Sequence, residues 1–398
     1  MSVQNRPGPL SGIKVLEFAG IGPAPMCAML LADMGATVFR IDRTEEVELG
    51  TKRPLKFEVL LRGRQTAALD LKTPAGLTAA LEMITEADIL IEGFRPGVME
   101  RLGLGPAVCF ERNPRLVYGR MTGWGQSGPL AFAAGHDLNY IAITGALDAI
   151  GRKGAAPTAP LNLVGDFGGG ALYLAMGVLA ALNHAKSSGE GQVVDASVFE
   201  GTLSLMAMHF GTAAAGLWNM ERGTNVIDSG APFYDVYECA DGKWISVAPI
   251  ELRFFRDLLQ RLGIDHSVYP DRFDRGVWES LRSALSDKFK TQTRAYWCAL
   301  LQGTDACFAP VLSMTEVADH PQVKAREAMA QCDGVPQPAV APRFSKTPGA
   351  IGPSPRRSSD AQAQSYLQVW FGQDRYKSLA QKGLLDGVCG TASASTQK

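Results

Sequence analysis

Short apolar runs alternate with helix-period segments through the first half of the chain. Lys14-Val15-Leu16-Glu17-Phe18 predicts a short buried strand, ended by the turn Gly20-Ile21-Gly22-Pro23. Met26 to Met34 then predicts a helix with Gly35 as its stop. Ala36 to Ile41 predicts a second strand. Thr73 to Glu86 predicts a helix with Pro74 at its first position, and Ala87 to Ile91 a third strand. Leu116 to Met121 predicts a fourth, followed by the glycine-rich turn Gly123 to Pro129. Alternation of this kind implies right-handed crossovers and a parallel sheet covered on both faces, which is the α/β class.

The pattern changes in the second half. Gly168 to Ala185 predicts a long buried helix, Gln192 to Ser197 a strand, and Phe199 to Trp218 another apolar helix. Beyond Gly230, Tyr234 to Cys239 and Trp244 to Ala248 flank an Asp241-Gly242 turn, a hairpin signal. Helical, charged sequence runs from Glu251 to Leu301, and Phe308 to Leu312 predicts a further strand. A Pro- and Ser-rich stretch spans Val335 to Pro355, and a final helix lies near Asp360 to Lys382. The expected organisation is a large α/β domain over 1–200, a linker over 201–230 and a smaller α+β domain over 231–310. A return linker over 311–325 then leads to 326–398, which completes the large domain. A length of 398 residues, beyond one compact core, agrees with two domains.

Composition narrows the class of function. A net charge of -1, from 39 basic and 40 acidic residues, lacks the basic surface a general nucleic-acid binder needs. The seven cysteines are scattered without a CxxC pair, as expected of reduced thiols without a zinc site. Met1 to Pro7 has no apolar core of the signal-peptide kind, and Gly168 to Leu182 is short for a bilayer span. The expectation is a cytoplasmic protein with no membrane or metal.

Among the motifs, Gly20-Ile21-Gly22-Pro23 has proline where a dinucleotide fingerprint needs its third glycine, so a tight turn is its role. Neither a phosphate loop of the GxxxxGK[ST] type nor GxSxG occurs. Arg40, Arg43, Arg62, Arg64, Arg95 and Arg101 recur in or after the predicted strands, where open α/β folds bind ligands; singly, each is as readily an ordinary surface residue. His136 stands where a helix starts, and Asp166 where an apolar run meets Gly168-Gly169-Gly170. A histidine and a carboxylate on opposite faces of one carbon can remove a proton from one side and return it to the other. Taken singly, such residues are more often packed or capping groups.

Longer motifs sharpen the reading. From Gly8 to Lys346 the chain resembles the family III coenzyme A transferases, and within them the 2-methylacyl-CoA racemases. The matching segments include Pro9 to Glu17, Leu30 to Ala36, Ala68 to Lys72, Glu92 to Gly103, Arg120 to Gln126 and Gly191 to Ala196. In the transferases the aspartate matching Asp166 is a nucleophile that forms acyl anhydrides and a CoA thioester. In the racemases the position matching His136 is histidine, within Gly135-His136-Asp137-Leu138-Asn139-Tyr140, and a glutamate matches Glu251.

The resemblance thus implies a 1,1-proton transfer through an enolate, with His136 and Asp166 as acid and base. Glu251 would orient His136, Asn162 would support Asp166, and N–H groups at Asp137 would hold the enolate oxygen. It implies substrate and CoA contacts from Arg43, Leu69, Asp70, Leu71, Lys72, Gly93, Phe94, Arg95, Pro96, Gly97 and Arg101, and from Gly135 and Asp137 to Tyr140. It further implies an acyl-CoA substrate of lipid metabolism with no separate cofactor. The fold implied is a Rossmann-like large domain in an interlocked homodimer, which leaves open which chain supplies Glu251 to each site. The alternative is a CoA transferase with Asp166 as covalent nucleophile. The chain departs from the family pattern at Leu252 and over Glu45 to Val59.

Overall fold

The computed structural model describes residues 7–45, 50–51 and 53–392; part of the divergent Glu45 to Val59 stretch lies outside them. The alternation read from sequence is realised as β1 (Lys14–Phe18), α1 (Pro23–Asp33) and β2 (Thr37–Asp42). They are followed by β3 (Arg64–Leu69), α2 (Pro74–Ile84) and β4 (Ile89–Glu92), then α3 (Val98–Arg101), α4 (Pro106–Arg112) and β5 (Val117–Thr122). The chain continues through α5 (Asp137–Ala142), α6 (Ala146–Ala149), a π-helix (Leu163–Ala171), α7 (Leu172–Ser188) and β6 (Gln192–Ser197). Next come α8 (Val198–Leu205), α9 (Ala207–Ala214), β7 (Asp235–Glu238), β8 (Trp244–Val247), α10 (Leu252–Leu262), α11 (Trp278–Phe289), α12 (Arg294–Leu301) and β9 (Phe308–Pro310). The last elements are α13 (Pro321–Ala325), β10 (Met329–Cys332), β11 (Val335–Pro338), α14 (Asp360–Phe371), α15 (Gln373–Gln381) and β12 (Val388–Cys389).

Two compact units result. One comprises Met1–Thr144, Leu161–Leu205 and Glu327–Lys398; the other comprises Gly145–Pro160 and Met206–Arg326. In the first, the described residues form a seven-stranded sheet in the order β12-β3-β2-β1-β4-β5-β6. All neighbours are parallel except β12, which runs antiparallel to β3. The strands' two-residue side-chain period divides the core. Val15, Val38, Ile89 and Val117 pack with α1 and α7 on one face. Leu16, Phe39, Leu90 and Tyr118 pack with α2 and α14 on the other. Because β2 and β3 lie on one side of β1 and β4 on the other, the strand order reverses at β1 and β4, where such sheets open a crevice at their carboxyl ends.

The second unit builds a separate core around the antiparallel β7-β8-β9 sheet, with α10, α11 and α12 contributing Phe255, Leu281 and Trp297. Gly145–Pro160 joins this unit rather than the expected 1–200 domain. Arg152 reaches the buried Asp235 at 2.6 Å, and Arg222 reaches Asp148 at 2.8 Å. The Gly223 backbone lies so close that a Cβ there would meet the Lys153 nitrogen at 2.2 Å.

Several elements differ from their sequence expectation. The patterning does not predict β3, because polar Arg64 and Gln65 stand where a buried strand reads apolar; the Arg64–Glu17 pair at 2.9 Å is what lets that end be buried. The apolar run expected to be helical from Gly168 begins at Leu163 as a π-helix. Gly168, Gly169 and Gly170 lack the side chains that would resist its approach to α8: a Cβ on Gly201 would meet the Gly169 carbonyl oxygen at 1.8 Å. The helix expected over Phe199 to Trp218 breaks at Met206 into α8 and α9, so the expected 201–230 linker contains helix. The expected 311–325 linker likewise contains α13. The final helix breaks at Gly372, whose φ of 77° ends α14. The π-helix and α7 together span 26 residues, within which an 18-residue window has a mean hydropathy of 1.5, long and apolar enough to cross a bilayer, contrary to the shorter run expected. In this fold Leu174, Val178 and Leu182 of that run lie in the core beside the sheet.

Candidate active site

The Gly135-to-Tyr140 motif forms the start of α5. His136 caps α5 in an extended conformation, its backbone N–H donating to Asn139 Oδ1 at 3.1 Å. Its carbonyl accepts from the N–H groups of Asn139 and Tyr140 at 2.8 and 3.2 Å. The Tyr140 hydroxyl donates to the Gly135 carbonyl, buckling the loop onto its own helix. The ring stands edge-on to Trp124 at 4.8 Å, in space that a Cβ on Gly123 or Gly135 would fill, at 2.1 and 2.7 Å from the ring. The His136 imidazole is thereby left exposed on a braced backbone.

Asp166 lies in the first turn of the π-helix. Its backbone N–H donates to Asp137 Oδ1 at 2.6 Å, and that carboxylate also accepts from the Gly165 N–H. The Asn162 side chain donates to the Asp166 carboxylate. Oδ2 faces the turn after β1: a Cβ on Gly22 would sit 3.3 Å from it. Gly22, with φ 72°, caps α1, whose first helical residue is Pro23. Asp166 therefore sits at the sheet's carboxyl edge beside an α1 terminus that favours negative charge. Its carboxyl is nonetheless pushed up to about 6, first by burial and then by the Asp137 charge, against the Asn162 hydrogen bond and His136. Asp137 is itself raised by burial. Tyr140 is raised by burial and by Asp166, with Arg95 acting in the opposite sense.

A cleft of about 1090 Å³ opens beside these residues, bounded by Gly20 to Gly22, Asn162 and Phe167. Arg40, Arg43, Arg53, Arg64, Arg356 and Arg357 line it. The fully buried Glu17 holds two of them, Arg40 at 3.2 Å and Arg64 at 2.9 Å, and Asp42 takes Arg40 at 2.8 Å, so both are fixed in place with their charges balanced by carboxylates. Arg62 has another fate: it pairs with Asp33 at 2.5 Å and bonds Gln337, inside the unit.

Of the contact residues expected from sequence, Arg43 lines this cleft and rests over the Phe94 ring. Asp70, Leu71 and Lys72 follow β3, and Gly93 to Gly97 follow β4, at the same sheet edge but outside the lining. Leu69 is buried in the core, and Leu138 is exposed on α5. Phe94 is fixed by its N–H to Glu92 at 2.7 Å. Gly97 takes the left-handed conformation that starts α3, on which Arg101 sits beside it. Glu251 belongs to the other unit, where it caps α10 with an exposed side chain. Sequence reading missed Arg356 and Arg357, which arrive by a late chain return; the Arg-Arg doublet after Pro355 is their only signal.

A doubly covered parallel sheet, with a carboxylate and a histidine at its switch point beside an arginine-lined cleft, agrees with comparison to known proteins. The chain belongs to the CoA-transferase family III, whose profile matches residues 10–360. Mouse alpha-methylacyl-CoA racemase is 42% identical over 349 residues, covering 87% of this chain and 89% of the relative. The human racemase of that name is 43% identical over 319 residues, covering 80% and 81%. The crystal structure of a CaiB/BaiF family protein from Brucella suis matches with a TM-score of 0.78 and 24% identity, over 92% of this chain and 100% of that one, a likeness of fold.

Proposed function

We propose that the protein is an isomerase, an alpha-methylacyl-CoA racemase that interconverts (R)- and (S)-2-methylacyl-CoA thioesters. The carrying observation is the pairing of a half-buried Asp166, with its proton affinity raised to about 6, with an exposed imidazole on the adjoining helix cap. The activity named for two relatives above 40% identity supports the same reading.

One of the two groups takes the C2 proton, and the C–H electron pair moves into the thioester to form the enolate. The other, already protonated, delivers its proton to the opposite face as the carbonyl reforms. Each turnover leaves the pair with one proton in total, exchanged between partners, so the reverse reaction starts from the opposite state. A carboxyl of ordinary acidity would rarely hold that proton near neutrality; burial beside Asp137 supplies the shift. The Asp137 backbone N–H is assigned to the enolate oxygen, and Glu251 to orienting His136. The arginine-lined cleft is assigned to the phosphates of CoA, which enters as part of the substrate; no separate cofactor or metal takes part. The active form is assigned as an interlocked homodimer in the cytoplasm.

Each 2-methylacyl-CoA epimer incubated separately in heavy water tests the reaction. Deuterium should enter C2 from both epimers with inversion, and His136→Ala should lower that exchange by roughly 10²–10⁴-fold. No exchange, together with CoA transfer to a free acid and oxygen-18 arriving in Asp166, would instead establish covalent transfer.

A further inference from the structure

We propose that Asp137 is the positioning residue that couples the two proton-transfer groups, its peptide following His136 while its carboxylate grips the backbone of Asp166. This rests on the racemase reading above. The first N–H groups of any helix lack partners within it, and the π-helix has no side-chain cap of its own from Asn162. Its first internal bond runs from the Phe167 N–H to the Asn162 carbonyl at 3.2 Å. The donors just before it, on Gly165 and Asp166, are taken instead by Asp137 from the neighbouring α5. Asp137 Oδ1 comes so near that a Cβ on Gly165 would lie 2.3 Å from it, so glycine at 165 is what admits the carboxylate.

The two acid/base residues therefore share one bridge. Moving the α5 terminus moves the π-turn with it, which holds the gap across which a single carbon must fit. The bridge also brings a second carboxylate against Asp166. Asp137 faces it from α5 together with His136, Asn162 stands on the same segment, and Tyr140 of α5 feels the charges of both Asp166 and Arg95. Among these, Asp137 is the anionic neighbour that favours a proton on Asp166.

Charge and grip separate in two variants. Asp137→Asn retains an oxygen able to accept the Asp166 N–H while removing the charge, whereas Asp137→Ala removes both. With Asp137→Asn the acid limb of the exchange rate, where the pair carries two protons, should move to lower pH by roughly half to one unit. With Asp137→Ala, kcat should fall by roughly 10²-fold with KM little changed, because the reacting groups lose register.

Titration of the Asp166 carboxyl by carbon-13 resonance, assigned by its loss in Asp166→Asn, reads the effect without turnover. Its midpoint should be lower in Asp137→Asn than in the wild type. Even if the wild type racemises normally, an unchanged kcat in Asp137→Ala would overturn the positioning role of Asp137, and an unchanged midpoint and pH profile in Asp137→Asn would overturn the part given to its charge. Absence of C2 exchange in the wild type would overturn the racemase reading on which the coupling rests, whatever the titration shows.

Discussion

At the scale of single residues, the site holds charge where burial opposes it. The Asp166 carboxyl is pushed from 3.8 to about 6. A carboxyl that binds its proton more tightly in the folded than in the unfolded chain weakens the fold at pH values where it is ionised. The penalty is complete above about 6, shrinks as pH falls through the window between the two values, and vanishes below 3.8. Asp166→Asn removes that penalty and leaves a side chain of the same size. Its melting temperature should exceed the wild type's at pH 8, with the gap closing toward pH 4. A wild type more stable than the variant at pH 8 would mean that the Asn162 hydrogen bond and His136 outweigh burial. The expected combination, a gain in stability with loss of exchange, is the usual trade at a site shaped for chemistry.

At the scale of elements, the π-helix is where sequence and structure part most usefully. Gly169 packs so tightly under α8 that a Cβ would meet Thr202 Oγ1 at 2.5 Å and the Val198 carbonyl oxygen at 2.9 Å. Gly169→Ala should therefore cost about 1–3 kcal/mol by overpacking, read as a shift in the denaturation midpoint. It should also impair exchange, since the displaced turn carries Asp166; a variant of full stability would show that the two helices can separate freely. The glycines were visible in the sequence as a run, but not as a π-turn, because widening depends on what packs against the segment. β1 and β6 were legible to the residue, β1 as a buried apolar run and β6 from Val193-Val194 between Gly191 and the helix that follows, although β6 is largely exposed. β3 was not, because Arg64 is buried by pairing with Glu17, 47 positions away. The same limit applies to the site. His136 and Asp166 were legible as candidates, and the helix start at His136 was correct. The Asp137 bridge is a tertiary fact with no local pattern to betray it, and the Arg356-Arg357 doublet shows in the sequence only as a basic pair, not as part of this cleft.

At the scale of the whole molecule, apolar side chains left uncovered on each unit argue for a partner. Leu172 and Met176, one turn apart on α7, are 52% and 61% exposed, and Leu205 on α8 is 47% exposed. The other unit leaves Met208, Phe210 and Leu217 exposed. Faces of this kind favour association through buried apolar area, and a second copy of the chain is the partner proposed above. Light scattering should then give about twice the 42.6 kDa chain mass, and Leu172→Glu with Met176→Glu should shift it toward the monomer.

The proposed dimer raises the question of which copy supplies Glu251. His136→Ala and Glu251→Ala chains, each inactive alone, would be co-expressed with different tags and the mixed dimer isolated. If Glu251 serves the partner's site, one site of that dimer pairs an intact His136 with an intact Glu251, and roughly half the wild-type exchange per dimer should return. If Glu251 serves its own chain, every site carries one lesion and nothing returns. An inactive mixed dimer of normal mass would thus reject action across chains while leaving the dimer itself intact.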